Sequence, residues 1–154
     1  MTDVQDLFEY NEWANRAVLT VTDELSAAEM QAPMDELGGS ALELLGHMAQ
    51  VEAAFLVLLT GGTERPPWVT EYGAIRERLT ANSAGYLTAL PALSSRFSER
   101  FTVPWFGREF TVEQGLLQVA THSVQHRAGI CAGIARAGRE APGLDYIQWL
   151  NVFR

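Results

Sequence analysis

Two of the chain's three histidines, His122 and His126, lie four residues apart in the segment THSVQHRAGI. On an α-helix, residues four apart are offset by only about 40° around the axis, so both imidazoles project from one face and can bind the same ion. The third histidine, His47, lies in the apolar segment ALELLGHMAQVEAAFLVLLTG and is expected to face the same interior. Three neutral nitrogen ligands suit zinc or another borderline divalent metal, and they leave a position open for water or substrate. The alternative is that all three are ordinary core residues, and the spacing alone does not decide between the two.

Other metal and cofactor sites fit these residues less well. A zincin protease needs Glu directly after its first histidine, where this chain has Ser123. A ferritin-like di-iron site needs Glu three residues before a histidine on two helices, and none of the three histidines has one. Cys131 lies about 180° around the helix from His122 and is expected to be a buried apolar side chain. The sequence also lacks the Gly-x-Ser-x-Gly pattern of a serine nucleophile.

Polar side chains close to the histidines are candidates to orient the imidazoles or to contact the ion. Gln118 lies one helical turn before the first histidine of the pair, and Glu43 lies one turn before His47. Glu43 also completes the capping box Ser40-x-x-Glu43, and this structural role is the stronger prediction. Arg127 is expected to form an ion pair at the helix surface or between helices, or to bind an anionic substrate group beside a metal.

The composition predicts one globular domain over residues 1–154, with 47% apolar and 19% charged residues. The net charge is −8 and all 11 basic residues are arginine, which argues against nucleic-acid and membrane-surface partners. Without lysine, Schiff-base chemistry and P-loop phosphate binding are excluded. The start of the sequence does not resemble a signal peptide, and no apolar run is long enough for a transmembrane helix. A single cysteine cannot form an internal disulfide, so a cytoplasmic location is expected.

The periodicity of apolar residues predicts an all-α four-helix bundle with long crossover connections. A short hairpin-like excursion in RFTVPWFGREFTV, centred on Gly107, is predicted before the last long helix, with any strand at Pro104 being an edge strand. The tail APGLDYIQWLNVFR is expected to pack a turn of helix and its aromatic residues against the bundle. The four long helices are predicted over residues 3–22, from 41 to the glycines at 61–62, from Trp68 to a kink or end at Pro91, and from 112 to 137. Capping boxes are predicted at Thr2–Gln5, Ser26–Glu29, Ser40–Glu43 and Thr111–Gln114.

The chain resembles the DinB/YfiT-like family of four-helix-bundle metalloproteins over most of its length. The segments that carry the resemblance are YNEWANRAVL (10–19), GSALELLGHMAQVEAAFL (39–56), THSVQHRAGI (121–130) and LDYIQWL (144–150). The resemblance implies that the metal ligands are His47, His122 and His126. The chain departs from the family pattern at Ala128 and Gly129, where Gly-Gln is frequent, and at Gln125, where a further histidine is common.

The resemblance implies a metal-dependent enzyme, because characterised relatives include S-transferases that use low-molecular-weight thiols such as bacillithiol or mycothiol. The cofactor is expected to be a divalent ion, with zinc preferred over nickel, manganese or iron, and homodimers are common in the family. Trp13, Trp68 and Trp105 are candidates to line a pocket for the thiol and its electrophilic substrate, or else to be core residues. Two alternatives stay open, a metal-dependent hydrolase and a non-catalytic metal-binding protein of a stress or damage response.

Overall fold

The computed structural model describes residues 4–34 and 39–154, which form six helices and one antiparallel hairpin. In chain order the elements are α1 (Val4–Thr22), α2 (Ala27–Gln31), α3 (Ala41–Leu59), α4 (Tyr72–Ser94), β1 (Arg100–Val103), β2 (Arg108–Thr111), α5 (Val112–Arg136) and α6 (Tyr146–Phe153). Helices α1 and α3 each pack against both α4 and α5, so the four long helices form the bundle that the periodicity predicts. The short helix α2 lies in the α1–α3 connection, and the hairpin lies in the α4–α5 connection.

Reciprocal capping boxes fix where three of these helices begin. At the start of α3, Glu43 N donates to Ser40 Oγ over 3.2 Å, and Ser40 N donates to Glu43 Oε2 over 2.9 Å. These bonds satisfy backbone N–H groups that have no partner inside the helix. The same reciprocal pair begins α2 and α5, so three predicted capping boxes are confirmed, while Thr2 of the fourth lies outside the described residues. The confirmed pairs are Ser26–Glu29, Ser40–Glu43 and Thr111–Gln114.

Helix α4 begins at Tyr72, so the prediction that it begins at Trp68 is wrong. The preceding segment is held as a loop by hydrogen bonds to its carbonyl groups from two helices. Gln50 Nε2 donates to the Pro66 carbonyl over 2.8 Å, and Arg78 Nη1 donates to the Pro67 carbonyl over 2.7 Å. These carbonyls are therefore satisfied without a further helical turn.

At its other end, α4 does not stop at Pro91. The helix continues through this residue to Ser94. Proline removes one backbone hydrogen bond within a helix. Leu90 and Leu93, on either side of Pro91, are both buried in the apolar cluster at this end of the bundle, and their packing stabilises the last turn.

The predicted hairpin is present, with β1 and β2 paired antiparallel from Arg100↔Thr111 to Val103↔Arg108. Pro104 lies in the turn after β1 and not within a strand, and Gly107 has a φ of +60°, which favours glycine in the turn. The C-terminal helix α6 packs Trp149 against Tyr10 of α1 in a T-shaped arrangement, with ring centroids 6.0 Å apart. The expected docking of the aromatic tail is therefore confirmed.

Helix α3 is the most apolar of the long helices, and by length and composition it could cross a membrane. In the fold, 61% of that span is buried against the rest of the protein. Its apolar character is therefore explained by its place in the bundle core, between α4 and α5.

Candidate metal centre

The three histidines meet at the contact between α3 and α5. His47 projects from α3, and His122 and His126 project from successive turns of α5. The Nε2 atom of His122 lies 3.1 Å from Nε2 of His47 and 3.1 Å from Nε2 of His126. One ring nitrogen from each residue lies within 4.8 Å of the others. The structure therefore brings together all three histidines that the sequence singled out.

The donor set fits a divalent cation. For a tetrahedral ion with metal–nitrogen bonds of about 2.0–2.1 Å, ligand nitrogens are separated by about 3.3–3.4 Å. The two Nε2 separations from His122, both 3.1 Å, differ from this by only a few tenths of an ångström. All three side chains are half-buried, so one side of the cluster is accessible from solvent. Three imidazoles with an accessible side match the ligand set of a catalytic rather than a structural site.

Two imidazoles of the cluster, those of His47 and His122, favour the neutral form that binds a cation. Burial lowers the pKa of His122 to about 4, with further lowering by the neighbouring His126 and His47. Burial also lowers the pKa of His47, and the positive charge of Arg65 adds to this effect. A histidine binds metal only through an unprotonated nitrogen, so His47 and His122 are ready to bind at neutral pH.

The metal-free protein is expected to lose stability as the pH falls from about 6.5 towards about 4. The pKa of His122 is about 4 in the folded protein and 6.5 without the environment of the fold. Between these values the unfolded chain binds a proton that the folded protein does not, so the free energy of unfolding decreases as the pH falls. Above about pH 6.5 this contribution is fully present.

Urea denaturation of the metal-free protein at about pH 7, pH 6 and pH 5 measures this effect. The His122→Asn variant is the control, because it retains a polar side chain that does not titrate in this range. Its stability should depend less steeply on pH than that of the wild type. Parallel curves for the two proteins would show that His122 is not the group responsible.

The sequence matches the profile of the DinB family over residues 1–152. The chain belongs to the DinB family. The match covers every element of the bundle and all three histidines, and the resemblance noted in the sequence is thereby confirmed. A comparison with curated proteins gives no significant match.

Solved structures with the same fold include two bacterial proteins. One is YfiT from Bacillus subtilis, described as a probable metal-dependent hydrolase with an unusual four-helix bundle topology. It is 17% identical, with a TM-score of 0.72 over 89% of each chain. The other is a DinB-like protein from Bacillus cereus, 16% identical, with a TM-score of 0.63 over 84% of this chain and 89% of that chain. At these identities the comparison establishes the DinB bundle fold of the chain.

The predicted pocket tryptophans lie in different places in this DinB-family chain. The ring of Trp68 lies 6.3 Å from the His47 ring and is 53% exposed, so this residue flanks the histidine cluster. Trp105 lies at the turn of the hairpin and contacts Phe55 edge-on at 5.8 Å. Trp13 packs against the aromatic cluster of the C-terminal tail. Of the three, Trp68 is therefore the one placed directly beside the histidines.

Of the two predicted orienting residues, Gln118 is exposed and Glu43 caps helix α3. His122 Nδ1 is buried without a hydrogen-bond partner among the described residues. Glu43 Oε2 accepts hydrogen bonds from the backbone and hydroxyl of Ser40, both over 2.9 Å. The capping role, which was the stronger prediction for Glu43, is therefore the one that the fold shows.

A buried polar network lies next to the histidines and joins three helices of the DinB bundle. Arg127 Nη1 donates to Asn11 Oδ1 over 2.7 Å and to Asn15 Oδ1 over 2.6 Å. The two asparagine amides in turn donate to Glu52 Oε1 over 3.3 Å and 3.1 Å. Ser123 Oγ donates to the same carboxylate oxygen over 2.7 Å. Two carboxamides from α1 thus connect a carboxylate on α3 to a guanidinium on α5.

The network is fully enclosed, and two of its residues directly follow the histidines in sequence. Glu52 is 0% exposed and Arg127 is 1% exposed. Burial lowers the pKa of the Arg127 guanidinium, and the negative charge of Glu52 opposes this shift. Ser123 and Arg127 each come directly after a histidine of the α5 pair. The network therefore fixes the backbone of α5 at the two positions that present His122 and His126.

Local sequence patterns did not predict this network, although Arg127 was a candidate for an ion pair. That residue is neither at the helix surface nor in a direct ion pair, because asparagine amides separate it from the carboxylate. Two signals could have revealed the network. Asn11 and Asn15 are four residues apart on the apolar face of α1, and Glu52 is the one charged residue between His47 and the end of α3. Polar residues on an otherwise buried face indicate mutual hydrogen bonding.

Proposed function

We propose that this protein is a divalent-metal-dependent transferase that joins a low-molecular-weight thiol to an electrophilic substrate. The observation that carries the proposal is the convergence of three imidazoles without a catalytic partner. Among residues 4–34 and 39–154, no Asp, Glu or Cys side chain joins the three-histidine cluster. Such a site fits a reaction in which the nucleophile is supplied by a cosubstrate and the protein supplies neither nucleophile nor general base.

His47, His122 and His126 would hold the ion through their Nε2 atoms. A divalent cation bound there would lower the pKa of a thiol and so raise the thiolate fraction at neutral pH. In the overall reaction, a sulfur–carbon bond forms, the bond from that carbon to its leaving group breaks, and the thiol proton passes to solvent. Zinc is the preferred ion because imidazole nitrogens suit it, and nickel, manganese and iron are alternatives.

The chain's own residues contribute position and environment. The α5 backbone that carries the histidine pair is fixed by Ser123 and Arg127 through the buried network. The indole of Trp68 lies beside His47 and offers an apolar wall to a bound substrate. Cys131 is half-buried, and burial raises the pKa of its thiol, so it is a poor nucleophile at neutral pH. The attacking sulfur is therefore assigned to the cosubstrate.

A hydrolase that activates water is the second candidate, because YfiT, which shares the fold, is described as a probable metal-dependent hydrolase. Water attack would benefit from a carboxylate acting as general base. The buried Glu52 accepts hydrogen bonds through Oε1 from Asn11, Asn15 and Ser123 and does not join the three-histidine cluster. We therefore favour thiol transfer over hydrolysis. The homodimer, the cytoplasmic location, the single domain over 1–154 and the absence of nucleic-acid and membrane partners stay predictions from the sequence.

The test is a conjugation assay with metal-loaded protein, a small thiol and monochlorobimane, in which chloride is the leaving group. The wild type is expected to accelerate conjugation, and His126→Ala to reduce the rate to that of the uncatalysed reaction. Gln125→Ala is the matched control, because this exposed residue precedes His126 on the same helix and should leave the rate unchanged. A protein that binds metal stoichiometrically but accelerates neither conjugation nor ester hydrolysis would instead be a non-catalytic metal-binding protein.

A further inference from the structure

Arg65 lies in the α3–α4 connection. The two residues after it are anchored, because the Pro66 carbonyl accepts a hydrogen bond from Gln50 and the Pro67 carbonyl accepts one from Arg78. This anchoring holds the connection against α3 and α4. The position of Arg65 is therefore determined by the bundle although its side chain is exposed.

The guanidinium of Arg65 is held by an aromatic ring and not by a carboxylate. Its Cζ atom lies 5.1 Å from the centroid of the Trp105 ring. Within the described part of the chain, no Asp or Glu lies within ion-pair distance of it, whereas exposed arginines such as Arg76 and Arg139 pair with Asp23 and Glu29. In a chain with a net charge of −8, Arg65 thus keeps a positive charge that no carboxylate neutralises directly.

This charge borders a cleft beside α3, the helix that carries His47. The cleft has a volume of about 360 Å³, and its walls include Ala54, Leu58, Arg65 and Trp105. Ala54 follows His47 by seven residues, which places it on nearly the same face of α3, about 10 Å further along the axis. The Pro66 carbonyl, next to Arg65 in sequence, is bonded to Gln50, which lies three residues after His47 on α3.

We propose that this cleft binds the carboxylate end of an anionic thiol, with Arg65 as the residue that selects it. The inference rests on the proposed thiol-transferase function and specifies its substrate class. Guanidinium pairs with carboxylate through two parallel hydrogen bonds, and stacking on Trp105 leaves the N–H edge of Arg65 available for them. Apolar walls contributed by α3 suit the carbon chain between sulfur and carboxylate. Glu64 also lines the cleft and opposes an anion there, so it provides a control of opposite sign.

The test compares 6-mercaptohexanoate with 6-mercaptohexanol on cobalt-loaded protein. These two probes have the same chain length and differ in the carboxylate. Binding is followed by the thiolate-to-cobalt charge-transfer absorption, so the readout does not depend on catalytic activity. For the wild type, the carboxylate probe is expected to bind about 5- to 10-fold more tightly, because a partly exposed charged hydrogen bond contributes modestly.

Arg65→Met should abolish this preference without changing the affinity for the neutral probe, and Glu64→Gln should increase it. Cobalt content and helical circular dichroism verify that both variants retain the fold. If the wild type bound both probes equally, Arg65 would not be the selecting residue, although metal-dependent thiol binding would stand. If neither probe produced the absorption band, the proposed function and this inference would both be wrong.

Discussion

Replacing Glu52 by alanine is expected to destabilise the protein by about 3–5 kcal/mol, the cost of leaving a buried charge without its partner. The substitution removes the negative charge that compensates Arg127, which is 1% exposed. It also removes the acceptor for the amides of Asn11 and Asn15 and for the Ser123 hydroxyl. Because these donors cannot reach solvent without opening the bundle, the loss cannot be offset locally.

Equilibrium urea denaturation measures the effect as a lower midpoint with an unchanged slope. Glu12→Ala is the matched control, because Glu12 lies on α1 in an exposed pair with Arg16 at 3.4 Å. Its removal should change the free energy of unfolding by less than about 0.5 kcal/mol. A Glu52→Ala protein as stable as this control would mean that the network does not hold the three helices together.

Replacing His122 by alanine is expected to lower the affinity for the divalent ion by more than about 100-fold. Loss of a residue that only supports a ligand costs about 10- to 100-fold, and loss of a ligand itself should exceed that. His122 is the central member of the cluster, since its Nε2 atom lies 3.1 Å from both other Nε2 atoms. The variant should remain folded, because the core around α5 is not changed.

Elemental analysis of tag-free protein, with competition against a chelator of known affinity, measures this loss. Wild-type protein should contain about one ion per chain, and the alanine variant should lose it on dialysis. Gln125→Ala, an exposed change on the same helix, should retain the ion. Equal metal content in the wild type and His122→Ala would show that the three histidines are core residues.

The parts of the fold that local patterns encode could be predicted from the sequence. Capping boxes and apolar periodicity located the four long helices, and alternation around Gly107 located the hairpin. The first turn predicted for α4 was wrong. This segment is held as a loop by hydrogen bonds to the carbonyls of Pro66 and Pro67, and their donors are distant in sequence, so no local pattern predicts them. Its continuation past Pro91 likewise depends on the burial of Leu90 and Leu93.

The candidate site likewise contains residues that a local pattern predicts and residues that it does not. The spacing of four residues identifies His122 and His126 as neighbours on one helix face, so their convergence was expected. The contacts of Glu52 with Asn11 and Asn15 join residues separated by 41 and 37 positions, and no local pattern encodes them. The pairing of Arg65 with Trp105 depends equally on how the hairpin folds against the α3–α4 connection.

The connection of Glu52 to Arg127 through two asparagines constrains how this sequence can diverge. A single apolar replacement at either charged position leaves the other charge buried without compensation, so each evolutionary path through one substitution crosses a destabilised intermediate. Replacing both charges together by apolar residues of similar volume removes that barrier. Helix α5, which carries His122 and His126, is therefore coupled through Arg127 to substitutions at Glu52 on α3. Evolutionary drift at these positions is epistatic, because the residues change as a set or are retained as a set.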